Sequence, residues 1–411
     1  MILYFDDNNA VNLHNVSQIK NVRSLDEALL RYSNSKFEFR YTKNYTLPGL
    51  YPVEVSKHSH LWIDQYYDNS DSFNLLKTLP MHVIKAVKQH KIRIAIISIV
   101  EGDDFVKEDF DGFASLHKTI NDLKLPKFSV IIVSGNLNCA DQYAAWCAKK
   151  KTSPVIEFTH GIEWDGVPWK AHQIRKPLAF TALTNATAKS FNSLNRAHRS
   201  HRTDHLYMLC NIANFKDLYV SGGSYFENNE LKSKYINVDD NSFTTKLQSQ
   251  YPRSVDVESS TICNNNPAHS LNTKIYENSL LTVVTESSYE GNGCFITEKT
   301  FRPIAAGHPF IILGQPNFVN KLQSFGFEAN FKGLDLSYDN ILCAEKRFVE
   351  FHKTLKHWYD LPRKHKNILI HDVWKEQIQH NFDLYRKSNF KKIMFDELLC
   401  STKEYFRLTA L

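Results

Sequence analysis

The sequence predicts an α/β protein of two domains, each organised on a parallel sheet. Three observations carry this expectation. First, apolar, β-branched runs alternate with helical spacing: 81–91 is helical, 92–99 a buried strand, 127–133 a second strand, 140–150 a helix and 154–158 a third strand. Such alternation argues for crossover connections, hence parallel strands with helices on both faces, and sheets of that kind bind ligands at their carboxyl ends. Second, the pattern returns at 280–314, LLTVVTESSYEGNGCFITEKTFRPIAAGHPFIILG, as strand, polar loop, helix and strand. Third, 411 residues with 42% hydrophobic content are enough for two cores.

The 280–314 unit is the most informative stretch. Residues 280–284 read as a buried strand and 286–293 as a polar, glycine-containing loop. Thr297 is placed as a helix N-cap, with Ile296 and Phe301 spaced as a hydrophobic staple. Pro303 predicts a short or kinked helix, Gly307 and Pro309 end it, and 310–313 is a second strand. Glu298 and Lys299 fall on the helix's first turn. Unpaired N–H groups and the positive end of the helix dipole suit a phosphate there, and Lys299 adds a full charge. Glu298 has two readings: it complements the dipole, or it holds the hydroxyls of a sugar.

Upstream, residues 1–80 are polar, aromatic-rich and weakly periodic, as expected of short strands and loops flanking a domain. The strand-end loops EGDDF at 101–105, SGNLN at 134–138 and THGIEWDG at 159–166 are the candidate site of the first half. No Gly-x-Gly-x-x-Gly fingerprint or Walker loop occurs, which excludes dinucleotide oxidoreductase and P-loop readings. Strands are expected at 180–184 and 191–194, with a domain boundary near 186. NRAHRSHR at 195–202 then leads into a helix with Leu206, Leu209, Cys210 and Ala213 on one face. Arg196, Arg199 and Arg202 stand before or within its first turn, where guanidinium groups oppose the helix dipole. They form either an anion clamp or a solvated basic turn. A strand and turn at 218–224, a polar insert at 225–275 and helices at 317–325, 345–359 and 372–387 complete the chain.

Composition narrows the class. The net charge of +6 permits a polyanionic partner without requiring one. Seven scattered cysteines suit reduced thiols with no zinc-ligand pairing. No apolar run is long enough for a transmembrane helix and the N-terminus lacks a signal-peptide layout, so a cytoplasmic protein is expected. The 18 histidines include no His-Glu-x-x-His. Asp109-Phe110-Asp111 matches an Asp-x-Asp metal pattern, but three residues recur easily by chance, and no metal is assigned.

TESS at 285–288, ITEK at 296–299 and AGHPFIILG at 306–314 resemble the nucleotide-sugar half of the α-1,3-fucosyltransferases. Their pattern is a strand ending in Phe-Glu-Asn-Ser, an (Ile/Val)-Thr-Glu-Lys helix start and an Ala-Gly-x-x-Pro-Val-x-x-Gly strand. The acidic-then-Gly-x-Pro ending is also similar to exostosin-like and other two-domain (GT-B) glycosyltransferases. The resemblance spans 280–314, 35 of the 411 residues. YENS at 276–279 copies Phe-Glu-Asn-Ser as well but lies too far upstream. Thr-Glu-Ser-Ser departs from the pattern and the loop before Thr-Glu-Lys is longer, so neither fucose nor guanosine is implied.

The resemblance implies two Rossmann-like, doubly wound domains facing a cleft: 1–185 on the acceptor side, 186–371 binding the nucleotide sugar, and C-terminal helices at 372–411 packing back on the first. It implies donor binding by Arg196, Arg199, Arg202, Glu286, Thr297, Glu298 and Lys299. An acceptor-activating glutamate in a comparable Thr-Gly-Glu-Asn-Glu loop makes Glu163 the first choice of base, with His160 second and Glu101 third. The implied activity is transfer of a sugar from a nucleotide-diphosphate sugar to the hydroxyl of a glycan or other acceptor. Inversion is expected, with no metal or cofactor, since a cationic clamp stabilises the leaving diphosphate. Two alternatives stay open. One is a viral-type glycosyltransferase acting on hydroxymethylated bases of DNA; the other is a non-catalytic nucleotide- or sugar-binding module, which would lose no rate on replacing any first-domain acid.

Overall fold

The computed structural model describes residues 2–6, 38–42, 60–65, 76, 81–98, 105–107, 110–161, 174–195, 198–222, 231–251, 271–387 and 390–409. Contacts divide the chain into two compact units, Met1–Glu163 with Phe390–Leu411, and Trp164–Asn389.

The first unit is built on a six-stranded, wholly parallel sheet. Its strands are β1 (Ile2–Asp6), β2 (Glu38–Thr42), β3 (His60–Gln65), β4 (Ile92–Ser98), β7 (Val130–Ser134) and β8 (Glu157–His160), in the order β2-β1-β3-β4-β7-β8. Between β4 and β7 lies a small antiparallel pair, β5 (Val106–Lys107) and β6 (Phe110–Asp111). Three strands from 1–80 are therefore integral to the sheet, correcting the expectation that they flank it. Parallel partners are distant in sequence, so weak local periodicity says little about membership. The helices α1 (Met81–Lys88) and α3 (Cys139–Lys150) fall close to expectation, whereas α2 (Gly112–Asp122) was not expected. Val83, Ile84, Val87, Leu116 and Ile120 of these helices pack with Ile94, Ile96, Val130 and Ile132 of the sheet in one buried core. At the carboxyl ends of three adjacent strands, Ser98, Ser134 and His160 stand in one row of the register.

The C-terminal helix, Phe390–Thr409, belongs to this unit. Arg93, fully buried, pairs with Glu157 at 2.6 Å and donates to Ser401 Oγ at 2.7 Å; Ser401 donates to the other oxygen of Glu157. The returning segment thus starts at 390, later than the expected 372.

The second unit carries a four-stranded parallel sheet, β9 (Phe191–Leu194), β10 (Leu218–Ser221), β11 (Thr282–Thr285) and β12 (Phe310–Leu313), in the order β10-β9-β11-β12. The elements around it are α4 (Ala179–Thr184), α5 (Ser200–Ile212) between β9 and β10, α6 (Asp240–Gln250), α7 (Thr273–Glu277) and α8 (Glu298–Ala306) between β11 and β12. Beyond the sheet come α9 (Phe318–Ser324), α10 (Ala344–Asp360), α11 (Arg363–Ile368) and α12 (Lys375–Lys387).

Two expectations fail here. Residues 180–184, expected as a strand, lie in α4. Ala179 and Ala182 are its buried positions, a spacing of three that suits a helix and not a period of two. The unit boundary falls at Glu163–Trp164, upstream of 186. Leu178 and Ala179 donate their N–H groups to the carbonyls of Ala306 and Gly307. Arg363 donates to the carbonyls of Ala182, Asn185 and Ala188. These bonds hold α4 within the second unit.

Candidate functional site

The strand order of the second unit reverses between β9 and β11. The chain leaves β9 through α5 toward β10, and leaves β11 through α8 toward β12. Right-handed crossovers moving in opposite directions place those two helices on opposite faces, which opens a crevice at the carboxyl ends of β9 and β11. The ladders confirm the gap. β9–β10 and β11–β12 each pair over four residues, whereas β9–β11 pairs only at Asn192–Thr282 and Ser193–Val283. Beyond that point Asn195 fills the space: its backbone N–H donates to Ser221 Oγ at 3.1 Å, and its side chain meets Ser193 and Thr285.

The two helix starts at this switch point are tied together. Arg202, 4% exposed, donates Nη2 to the Thr285 carbonyl at 3.2 Å, and His201 donates Nε2–H to the Glu286 carbonyl at 2.8 Å. The His201 ring also stacks on Tyr289, centroids 5.1 Å apart. Burial, reinforced by Arg202 and more weakly by Arg199 and Lys299, pushes this imidazole down to about 3, so it is neutral.

Glu286 is wholly buried, and both of its carboxylate oxygens are occupied by the chain's own donors. Oε1 accepts from Thr297 N at 3.2 Å and Thr300 Oγ1 at 2.5 Å; Oε2 accepts from Thr297 Oγ1 at 2.5 Å and Ser287 N at 3.3 Å. Thr297 is the N-cap, accepting from Lys299 N at 3.2 Å, and Ile296 and Phe301 are buried beside it. Glu286 and Thr297 therefore complete the start of α8 and secure the loop; their polar atoms are already committed. The helix is nine residues long with Pro303 inside it, and Gly307 ends it at φ 61°.

Lys299 Nζ reaches Ser287 Oγ at 3.0 Å and Thr297 Oγ1 at 3.3 Å, and lies 3.3 Å from Glu298. Glu298, its side chain 16% exposed, also lies 3.9 Å from Arg302. At α5 the N-cap residue is Arg199, extended and exposed, which supplies no side-chain cap. The N-caps and first turns of the two helices, with the loop carboxylate Glu286, thus bring together three cations, Arg199, Arg202 and Lys299, and two carboxylates, Glu286 and Glu298; Arg302 and Asp204 stand one turn further along α8 and α5. This electropositive crevice with hydroxyl and carboxylate groups at its margin can hold a phosphorylated, hydroxylated ligand.

Of the residues expected at a donor site, Arg199, Arg202, Glu286, Thr297, Glu298 and Lys299 gather here. Arg196 lies outside the described residues, as do Glu101, Glu163 and Asp109. His160 closes β8 in the first unit and is half-buried. Asp111 is an N-cap: Oδ1 accepts from Ala114 N at 3.0 Å and Oδ2 from Trp146 Nε1 at 2.9 Å. That gives it a structural task, and among the described residues no group of His, Cys, Asp and Glu is arranged to hold a metal ion. No helix among them is long and apolar enough to cross a membrane.

Sequence reasoning missed His201, Asn195, Arg302 and Arg347. Arg347, 1% exposed, donates to the carbonyls of Gly314, Ile341, Leu342 and Tyr289, and its guanidinium lies 4.6 Å from the Tyr289 ring centroid. It holds the β11–α8 loop from outside. Nothing local in the α10 sequence marks that role, because every acceptor is a backbone carbonyl.

No family model matches the chain, and no curated protein does. Among solved structures it is similar to a mutant of T4 phage BGT in complex with UDP-glucose. The identity is 14% and the TM-score 0.36, over 98% of this chain and 99% of the other. Neither figure is high enough to carry a residue from that protein to this one.

Proposed function

We propose that the protein is a glycosyltransferase of the two-domain GT-B type that moves a sugar from a nucleotide-diphosphate sugar to an acceptor hydroxyl. The observation that carries this reading is the early end of the β9–β11 ladder between two cross-tied helix starts, one of them basic and without a side-chain cap. Arg199 and Lys299, with the start of α5, bind the diphosphate, and Arg202 braces the crevice wall. Charge that builds on the leaving diphosphate is stabilised by these fixed donors, so the reaction calls on no metal or cofactor. Glu298, held by Lys299 and Arg302, offers its carboxylate to ribose or sugar hydroxyls. The acceptor's proton is assigned to a strand-end loop of the first unit, to Glu163 first, with His160 and Glu101 next. The reaction inverts the sugar.

The test begins with thermal-shift screening against nucleotide diphosphates and nucleotide sugars. A true donor at 100 times its dissociation constant adds about 2.7 kcal/mol of stability. Lys299→Ala and Arg199→Ala weaken that binding; unchanged affinity in both refutes the clamp. Glu298→Gln raises the donor KM, whereas Glu163→Gln lowers kcat by roughly 10²–10⁴ with donor binding nearly unchanged. Full turnover in Glu163→Gln moves the base to His160 or Glu101.

A further inference from the structure

Five hydrogen bonds run from the switch point into α10, and one end fixes the direction of all of them. His352 Nδ1 lies 2.8 Å from the Phe348 carbonyl oxygen, an atom that only accepts, so Nδ1 carries the proton. Burial holds this imidazole neutral, pushed down to about 4, so its Nε2 accepts. It takes Nδ1–H of His205 at 2.9 Å. His205 is itself kept neutral by burial and then by His352 and His201. Its Nε2 accepts the Ser193 hydroxyl at 2.9 Å. The one proton of Ser193 being committed, its oxygen accepts from Asn195 Nδ2 at 3.0 Å. That settles the amide: Asn195 Oδ1 faces Thr285, whose hydroxyl donates to it. No side chain in this chain of bonds is more than 3% exposed.

Each link is required by the one before it. Reversing any member leaves two protons or two lone pairs facing each other in a buried place, at a cost that such sites rarely tolerate. The far end is the switch point where the β9–β11 ladder stops. Asn195 and Thr285 bridge it side chain to side chain, and the Thr285 carbonyl receives Arg202. We propose that His205 and His352 are positioning residues for the donor site, holding Asn195 and Thr285 in one orientation and thereby fixing the acceptor that braces Arg202. This role rests on the reading of the switch point as a diphosphate site.

The test has two arms on the full chain. Histidine tautomers are read by long-range ¹H–¹⁵N NMR at neutral pH. His205 and His352 are both expected as Nδ1–H tautomers with an unprotonated Nε2; an Nε2–H form, or a cation, at either residue overturns the chain of bonds. The second arm measures inorganic pyrophosphate binding by calorimetry. His352→Phe leaves the His205 donor unmatched and is expected to weaken binding on the order of tenfold. His352→Gln, whose amide oxygen accepts from His205, restores it to within about threefold. Equal affinity in His352→Phe and the unmodified chain overturns the positioning role, as does failure of His352→Gln to restore. If His352→Phe does not fold, Ser193→Ala breaks the same chain at a smaller side chain, with the same expected loss. Absence of pyrophosphate binding by the unmodified chain removes the donor-site reading, while the tautomers still decide the hydrogen-bond chain.

Discussion

Replacing Glu286 by Gln tests whether this buried carboxylate holds the start of α8 together. Four donors converge on it, two backbone N–H groups and two threonine hydroxyls. A Gln side chain keeps one accepting oxygen and turns an NH₂ group toward the other two donors. A hydroxyl can rotate, but a backbone N–H cannot, so at least one buried amide loses its partner, at about 1–3 kcal/mol. Loss of the negative charge at the helix start removes about 0.3–1 kcal/mol more. The expected loss is therefore about 1.3–4 kcal/mol, a large part of the roughly 5–15 kcal/mol that holds an ordinary domain. Trp358 and Trp374, fully buried and stacked 5.5 Å apart in the second unit, report its unfolding by fluorescence in a urea titration. Glu298→Gln is the control, since that carboxylate meets side-chain cations, which can reorient, and no backbone N–H is left without a partner, so its loss should be the smaller of the two. A Glu286→Gln loss under about 0.5 kcal/mol, or one equal to the control, would refute the structural role.

Acid should destabilise the protein well above the carboxylate range. Burial pushes His201 down to about 3, His308 and His352 to about 4, and His205 well below its usual 6.5. Unfolded histidines take up protons from pH 6.5 downward while these do not, so stability falls with pH at about 1.4 kcal/mol per unit for each net proton. Asp339, raised to about 6 by burial, and Asp204, raised for the same reason, act in the opposite sense above pH 3.8. The four histidines outweigh the two carboxyls, so unfolding takes up protons on balance and stability is lower at pH 5 than at pH 7; equal stability at the two would refute this. Gly307→Ala should cost more than about 1 kcal/mol in the same titration, because a Cβ there meets Pro177 Cα at 2.5 Å and φ is 61°. Transferase activity should survive EDTA. Asp111→Ala should lower stability by about 1 kcal/mol through its lost cap; activity abolished by chelation and restored by a divalent cation would refute the metal-free reading.

Much of the second unit was legible because its signals are local. Thr297, Ile296, Phe301, Gly307 and the run at 310–313 each encode a cap, a staple, a stop or a buried strand within a few residues. The first 80 residues were not legible as sheet, since β1 gains its place only by pairing with β2 and β3 across long intervals. The same limit hid Arg347 and the His205–His352 pair, whose partners lie up to 147 residues away in sequence. The segment 180–184 misled for a different reason: short apolar runs suit either period, and docking on the end of α8 decides for helix.

The gathering of Arg199, Arg202, Thr297, Glu298 and Lys299 was legible in the sequence, and the partners that each of them meets were not. Sequence places the anion at the start of α8, because Thr297, Glu298 and Lys299 sit there in a recognisable order. In the fold that start is already served by a negative group, since the Glu286 carboxylate and Thr297 hydroxyl occupy it. The start of α5 receives no cap from the side chain of its own N-cap residue. It begins at an arginine that cannot accept a backbone proton, in a position where cations oppose the helix dipole, so this arrangement is locally unfavourable on both counts. Its neighbours compensate through geometry and not through opposite charge: Arg202 and His201 are fastened to the carbonyls of Thr285 and Glu286. A helix start kept basic, uncapped and rigid lowers the stability of the free protein. On the proposed reading, that strain is relieved when a diphosphate binds there.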